Sequence, residues 1–340
     1  MKSQEGYLKL NTYEISFTCL TVLMLFAIHI YGALTVPLVI DNPKGKIIEI
    51  QKGMSITEIS YLLKKEKIIR DVWLFNLLTR LKPGMIIKAG EYKLDSAMKL
   101  NTLHLLDILQ EGKTVCHKVT IPEGCTIRQV AGILAGRDLA DQEKFIEVAN
   151  DPNLARQLGI EADSLEGYLF PDTYYFSKGL PEKSVAEAMV ARFHKAIPLE
   201  WEERCREMEF NLHQIITLAS LIEKETSMQE EKPLISATYH NRLRDGMRLQ
   251  CDPTVIYSLG SFNGTLTREH LSIDSPYNTY RICGLPPGPI ANPGADSIRA
   301  ALYPVKVGYR YFVSKNNGTH QFSCTLKEHN KAVGKYQKRR

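Results

Sequence analysis

The sequence predicts an α+β fold carried on a single N-terminal transmembrane helix. Three observations predict it: a charge-free apolar stretch near the N-terminus, a strand–turn–helix pattern that occurs twice, and a mostly helical region that gives way to a small β component. The 340 residues hold 43 Lys and Arg against 38 Asp and Glu, a net charge of +5. So modest and dispersed a charge gives no reason to expect nucleic acid as a partner. Residues 333–340 end in Lys335-Tyr-Gln-Lys-Arg-Arg340, which reads as a solvated tail, with a patch for an anionic polymer as the lesser alternative. Seven cysteines form no C-x-x-C pair, and no H-E-x-x-H, G-x-S-x-G or G-x-x-x-x-G-K-[ST] occurs. Metalloprotease, serine hydrolase and P-loop readings lose their usual support, and no metal or cofactor is called for.

Ile15 to Val36 runs for 22 residues without a charge. About 20 apolar residues suffice for a helix to cross a bilayer. A cleaved secretory signal competes, but its apolar region is usually about 7–15 residues and ends at a small-residue cleavage site that is not evident here. The expectation is a single-pass anchor over 15–36 behind a cytoplasmic tail of residues 1–14. Lys2 and Lys9 precede the span while Lys44, Lys46 and Lys52 follow it, so flanking charge does not fix the orientation. The large remainder favours an exterior bulk, because long domains translocate largely regardless of charge.

The first outer segment, 37–117, contains half of a weak internal repeat. Ile48-Glu-Ile-Gln-Lys-Gly-Met-Ser-Ile-Thr-Glu-Ile59 aligns with Val119-Thr-Ile-Pro-Glu-Gly-Cys-Thr-Ile-Arg-Gln-Val130. Each copy reads as a strand, a turn at Gly53 or Gly124, and a helix opened by Ser55 or Thr126. Glu58 and Gln129 stand three residues on, the spacing at which two side chains satisfy open backbone N–H groups of the first turn. The helices continue over 56–65 and 127–135. Between the copies, 72–81 and 102–111 read as helices and 90–94 as a strand. The pattern resembles the small LysM-type modules that bind glycan chains, although helix capping alone also explains these residues.

The second outer segment, 118–332, is mostly helical. Gly167 and Pro171 break the helical pattern, and the aromatics of Leu165–Phe176 favour extended structure. Helices are expected at 182–196, 199–208, 212–226 and 297–302. Strands at Tyr309–Val313 and Thr319–Phe322 flank Asn317-Gly318, a favoured hairpin pair.

Polar chemistry concentrates between Leu221 and Tyr280. A helix apolar at Ile215, Ile216, Leu218, Ala219, Leu221 and Ile222 suddenly presents Glu223. Cleaving a glycosidic bond needs a carboxylic acid that stays protonated near neutrality, and an apolar setting provides this by raising its pKa. Glu223 suits that requirement; Glu225 competes from another side of the helix, and a plain polar helix end is the bland alternative. Gln250 and Asn278 offer both donors and acceptors to sugar hydroxyls, and Asp252, Thr254, Tyr257 and Tyr280 add polar and stacking capacity. Turn chemistry is their alternative, with Asp252-Pro253 starting a turn and Asn278 capping nearby backbone. Four prolines in Leu285–Gly294 make a rigid cleft wall or a rigid surface loop.

These landmarks together resemble one family. Glu166-Gly-Tyr-Leu-Phe-Pro-Asp-Thr-Tyr174, Leu221-Ile-Glu-Lys-Glu-Thr226, Asn241-Arg-Leu-Arg-Asp-Gly-Met-Arg-Leu-Gln250, Asp252-Pro-Thr-Val-Ile-Tyr257, Tyr277-Asn-Thr-Tyr280 and Gly284-Leu-Pro-Pro-Gly-Pro-Ile290 are similar to the endolytic murein transglycosylases, the YceG-like family. The resemblance implies an inner-membrane protein with a LysM-like module over 37–117 and a catalytic domain over 118–332 in the periplasm or its equivalent. It implies peptidoglycan glycan strands as substrate, peptidoglycan synthases as candidate partners, and Glu223 as the catalytic residue. The implied reaction cuts the MurNAc–GlcNAc bond and closes a 1,6-anhydro ring from the sugar's own C6 hydroxyl. Cys251 and Cys283 stand where small polar residues are expected. A muramidase with Asp252 as partner carboxylate and a non-catalytic glycan-binding scaffold are the competing readings.

Overall fold

A computed structural model describes residues 12–35, 45–95, 100–260, 262 and 264–337. Most of the expected cytoplasmic tail, Val36 at the end of the expected span, and the last three residues of the basic tail lie outside the described residues. The architecture is mixed, mostly helical with three small two-stranded sheets among the described residues. Helix α1 (Thr12–Thr35) contains the stretch Tyr13–Gly32, which is long and apolar enough to cross a membrane and has no residue buried within the protein in its most apolar window. Twenty-four residues extend about 36 Å as a helix, more than a hydrocarbon core requires. Threonine hydroxyls bond within the helix: Thr18 and Thr21 donate to the carbonyls of Glu14 and Phe17, one turn back.

Two compact units make up the chain. The first takes in the residues up to Cys116 with Ser177–Gly179; the second takes in His117–Phe176 and the chain from Leu180 onward. In the first, β1 (Lys46–Ile50) pairs antiparallel with β2 (Gly90–Leu94), setting Ile48 opposite Tyr92. Helices α2 (Ile56–Lys65), α3 (Val72–Leu81) and α4 (Thr102–Glu111) accompany this ribbon. Their apolar faces bury Ile59, Leu63, Phe75, Leu105, Leu106 and Leu109 with Ile48, Ile50 and Tyr92 of the strands. Tyr92 is fully buried, so its hydroxyl needs a partner, and it donates to Lys88 O at 2.6 Å. The expected Ser55/Glu58 capping box forms, and Gly53 supplies the left-handed turn before it.

The second unit repeats the opening. Strand β3 (Cys116–Thr120), which belongs to this unit from His117 onward, leads through Gly124 to a Thr126/Gln129 capping box and α5 (Ile127–Ala135). Then come α6 (Gln142–Ala149), α7 (Pro152–Gln157), and β4 (Thr173–Ser177), which pairs with β3. Helices α8 (Glu182–Ala196), α9 (Trp201–Met208), α10 (Leu212–Glu225), α11 (Lys232–Arg244), α12 (Asp252–Leu259) and α13 (Ala295–Leu302) follow, then β5 (Tyr311–Ser314), β6 (His320–Ser323) and α14 (Leu326–Tyr336). Every residue of α10 from Ile215 to Ile222 is buried, which makes it the central helix of this unit.

Several boundaries differ from the sequence reading for identifiable reasons. Leu199 is 95 % exposed and α9 starts only at Trp201. Asp252-Pro253 opens helix α12 instead of a turn, because proline's fixed φ and missing N–H suit a first helical turn. The hairpin is antiparallel with Tyr311 opposite Ser323 and Ser314 opposite His320, so its loop is Lys315–Thr319. Left-handed backbone falls on Asn316 and Gly318, and Lys315 N–H donates to Thr319 O, in place of a two-residue Asn317-Gly318 turn.

Candidate active site

The last turn of α10 carries two carboxylates in different directions. A capping box at Asn211 and Gln214 starts the helix, and Thr226 ends it by turning extended. Burial of Ile215–Ile222 fixes its rotation, so Glu223 faces the start of α13. The Glu223 side chain is only 7 % exposed. Its Oε2 accepts from Gly294 N–H at 3.0 Å and from Ser297 Oγ at 2.7 Å, and Lys232 Nζ lies 3.3 Å from both carboxylate oxygens. The apolar pocket expected around this group is therefore a polar cradle: the open N–H end of α13 and the first residue of α11 converge on it.

Lys232 is 3 % exposed, and an ammonium so buried requires carboxylate partners. It has two, because Glu123 Oε2 lies 3.6 Å from Nζ. Glu123 comes from the Pro122–Thr126 turn of the second repeat copy, and its side chain remains 52 % exposed. Gly294 makes room for it: a Cβ there would stand 1.9 Å from Glu123 Oε1. Beside this group, Lys224 of α10 donates to Gly124 O at 3.2 Å and lines a cavity of about 520 Å³ with Arg128, Gln129, Glu166, Ile256 and Tyr257. A cavity of about 580 Å³ at the opposite end of α10, against Trp201, Leu212 and His213, holds none of the predicted residues.

The other predicted residues do not converge on Glu223. Glu225 turns its carboxylate to Tyr239, whose hydroxyl donates to it at 2.7 Å, and burial pushes its pKa up. Cys251 is fully buried on the same cluster, so it serves the interior, whereas Cys283 is exposed. Asp252 and Tyr280 are joined by a hydrogen bond from the Tyr280 hydroxyl to Asp252 Oδ1. Gln250 is exposed and holds a left-handed backbone, φ 50°, that ties its N–H to Thr279 O. Thr254 is fully buried, donates to Cys251 O at 2.7 Å and meets Thr279 Oγ1 at 2.9 Å. Asn278, also fully buried, spends both N–H donors on the carbonyls of Leu271 and Ile273 and its oxygen on Tyr280 N–H. Its amide holds the loop together and has no free group to turn outward, as the capping alternative anticipates. Tyr257 lines the 520 Å³ cavity, with its ring 5.0 Å from Tyr277 and its hydroxyl 3.4 Å from Glu166 Oε2.

Sequence reasoning missed the residues that hold this arrangement. The proline-rich stretch is a buried wall, not a surface loop: Asn292 is fully buried, accepts from Leu169 N–H at 2.8 Å and donates to Cys125 O at 2.8 Å. Glu166 lies beneath it and accepts from Ile127 N–H at 3.1 Å and Asn292 Nδ2 at 3.3 Å. Burial pushes the Glu166 carboxyl up to about 7, although the Ile127 and Tyr257 bonds oppose this. Between its ordinary value of 4.5 and about 7, the folded protein holds a proton that the unfolded chain has released. This contribution to stability is complete below about pH 4.5 and lost as pH rises through 7. At about 1.36 kcal/mol per pH unit it amounts to about 3 kcal/mol. Denaturant midpoints from pH 5 to 8 are expected to fall, and Glu166→Gln is expected to flatten that fall; an unchanged slope in the variant would assign it to other groups.

Comparison with known proteins supplies the remaining evidence. Residues 48–335 match the YceG-like family. The chain is 34 % identical over 326 residues to a Bacillus subtilis protein named endolytic murein transglycosylase, covering 90 % of this chain and 89 % of that one. It is 29 % identical over 332 residues to a protein of the same name from Streptococcus pneumoniae, covering 88 % of this chain but only 60 % of that longer protein. A crystal structure of a YceG-like protein from Listeria monocytogenes superposes with a TM-score of 0.58 at 34 % identity, covering 85 % of this chain and 99 % of that one. With the family match spanning most of its length, this chain belongs to the YceG-like family.

Proposed function

We propose that this protein is a membrane-anchored endolytic lytic transglycosylase, a lyase that cuts the MurNAc–GlcNAc bond of nascent peptidoglycan strands and thereby ends their elongation. The observation that carries this reading is the Glu223 carboxyl, buried at the end of a core helix and held by three converging donors. Its support from relatives is the shared name of the Bacillus and Streptococcus proteins.

The chemistry follows from what these groups can exchange. Protonated Glu223 gives its proton to the glycosidic oxygen as the C1–O bond breaks, and the bonding pair leaves with that oxygen. The resulting carboxylate is stabilised by the Lys232 ammonium, Gly294 N–H and Ser297 hydroxyl. It then takes the proton from the C6 hydroxyl of the same MurNAc, whose oxygen closes onto C1. Because the nucleophile belongs to the substrate, proximity supplies part of the rate and no bound water is consumed. Gln250, Asp252, Tyr257 and Tyr280 are proposed to contact the glycan, while Thr254 and Asn278 shape the backbone that presents them.

Full-length protein in detergent, incubated with purified glycan strands, tests the reading by product mass. Fragments ending in 1,6-anhydro rings, with no gain of water, are expected. Reducing ends carrying solvent oxygen would instead make the protein a muramidase, and binding without cleavage would make it a scaffold. The 37–117 segment is proposed as a LysM-like module that grips glycan and the 118–332 segment as the catalytic domain; loss of glycan retention on removal of the module checks the first assignment. Recruitment by peptidoglycan synthases is testable by co-purification from membranes.

Helix α1 is proposed to anchor the protein in the cell membrane with residues from about 37 onward outside. Protease added to cells stripped of wall should then digest the bulk of the chain. Protection until lysis would reverse the orientation.

A further inference from the structure

Glu123 stands outside the chemistry assigned to Glu223, yet its position is built. The two carboxylates pair with one buried ammonium, at 3.3 and 3.6 Å, and both lie against Gly294: Glu223 accepts its N–H, and Glu123 fills the space a side chain would take. No other carboxylate among the described residues forms an ion pair with Lys232. One ammonium cannot neutralise both carboxylates that pair with it, so the charge of each disfavours the charge of the other.

We propose that Glu123 is a second functional carboxyl of the active site, sharing one proton with Glu223 across Lys232, so that the pair rather than Glu223 alone supplies the acid to the leaving oxygen. This rests on the transglycosylase reading and adds a residue to it. The balance closes without a co-reactant. The shared proton goes to the departing oxygen as the C1–O bond breaks, the C6 oxygen bonds to C1, and the C6 hydroxyl proton returns to the pair. The Glu123 side chain is half-exposed while that of Glu223 is buried, so the outer group is the one that can exchange protons with solvent between turnovers.

The charged groups that act on Glu123 are Glu223, Lys232 and Asp296. Burial and the Glu223 charge hold its carboxyl above the ordinary range, with Asp296 adding to them and Lys232 opposing.

The test compares full-length wild type, Glu123→Gln, Glu123→Asp, Gly294→Ala and Glu223→Gln in detergent, measuring anhydro-product formation against pH. Glu123→Gln is expected to lower kcat about 10²-fold with little change in KM. Its alkaline limb should move to lower pH, because a lone carboxyl beside Lys232 loses its proton more easily than a pair does. Glu123→Asp should restore part of the rate and of the limb. Gly294→Ala, whose Cβ would displace the Glu123 carboxyl, should reproduce the acidward limb by a different route. A merely structural role would lower the amount of folded enzyme without moving the limb. If Glu223→Gln is inactive while Glu123→Gln matches wild type in rate and limb, the shared proton is refuted and the transglycosylase reading stands; a fully active Glu223→Gln refutes both.

Discussion

Glu223→Gln is expected to abolish glycan cleavage while leaving the protein folded. Gln has nearly the shape of Glu, and its oxygen can still accept from Gly294 N–H and Ser297 Oγ. Lys232 keeps Glu123 as a counter-charge at 3.6 Å, so the buried ammonium is not stranded. What the amide cannot do is give an acidic proton or take one from the C6 hydroxyl. General acid–base catalysis is worth about 10²–10⁴-fold, and a residue serving both transfers should lie at the upper end of that range. Glu225→Gln should be much milder, because its partner is the buried Tyr239 hydroxyl, which an amide oxygen can also accept. The measurement is anhydro-product formation at equal concentrations of folded enzyme, checked by circular dichroism. A dead Glu225→Gln beside an active Glu223→Gln would move the chemistry to the Tyr239 side of α10, and full activity in both would take this helix out of the reaction.

The contrast between these two glutamates also marks how far the sequence could be read. Local signals were legible: capping boxes at Ser55 and Thr126, glycine turns at 53 and 124, and the apolar run of α10 each depend on residues within a few positions of one another. The helix position of Glu223 was legible for the same reason. Its surroundings were not, because Lys232, Gly294 and Ser297 reach it from 9, 71 and 74 residues away, and an apolar helix said nothing about what would close over its end. Glu123 lay in plain view within the second repeat copy, where the first copy has Lys52. That departure from an otherwise matching pattern was the available signal, since a capped turn does not require a carboxylate before its glycine. Asn278 shows the opposite failure: an amide is equally suited to a sugar or to three backbone groups, and only the loop's path decides which it meets.

Gly167→Ala is expected to cost more stability than any surface change, through the wall behind the candidate site. Gly167 holds φ at +90°, a region that L side chains rarely adopt. A Cβ there would stand 2.5 Å from Pro289 Cγ and 2.9 Å from Ile216 Cγ2. Neither neighbour can yield: Pro289 is one of four prolines in its loop, and Ile216 is fully buried in α10. Left-handed strain of about 1–2 kcal/mol and overpacking of about 1–3 kcal/mol together predict a loss of about 2–5 kcal/mol. For a unit of this size that lowers the melting temperature by about 10 °C. Gly159→Ala is the control, because Gly159 has a similar φ of +76° with nothing within 4 Å of its added Cβ, so only the strain should appear. The difference between the two melting temperatures isolates the clash. The same loop brings Asn292 to Cys125 and Gly294 to Glu223, so cleavage by the folded fraction of Gly167→Ala should fall as well, whereas Gly159→Ala should keep its rate. Equal melting temperatures for the two variants would mean that the proline loop moves aside at little cost, and a rigid wall would then no longer explain how Gly294 is held against Glu223.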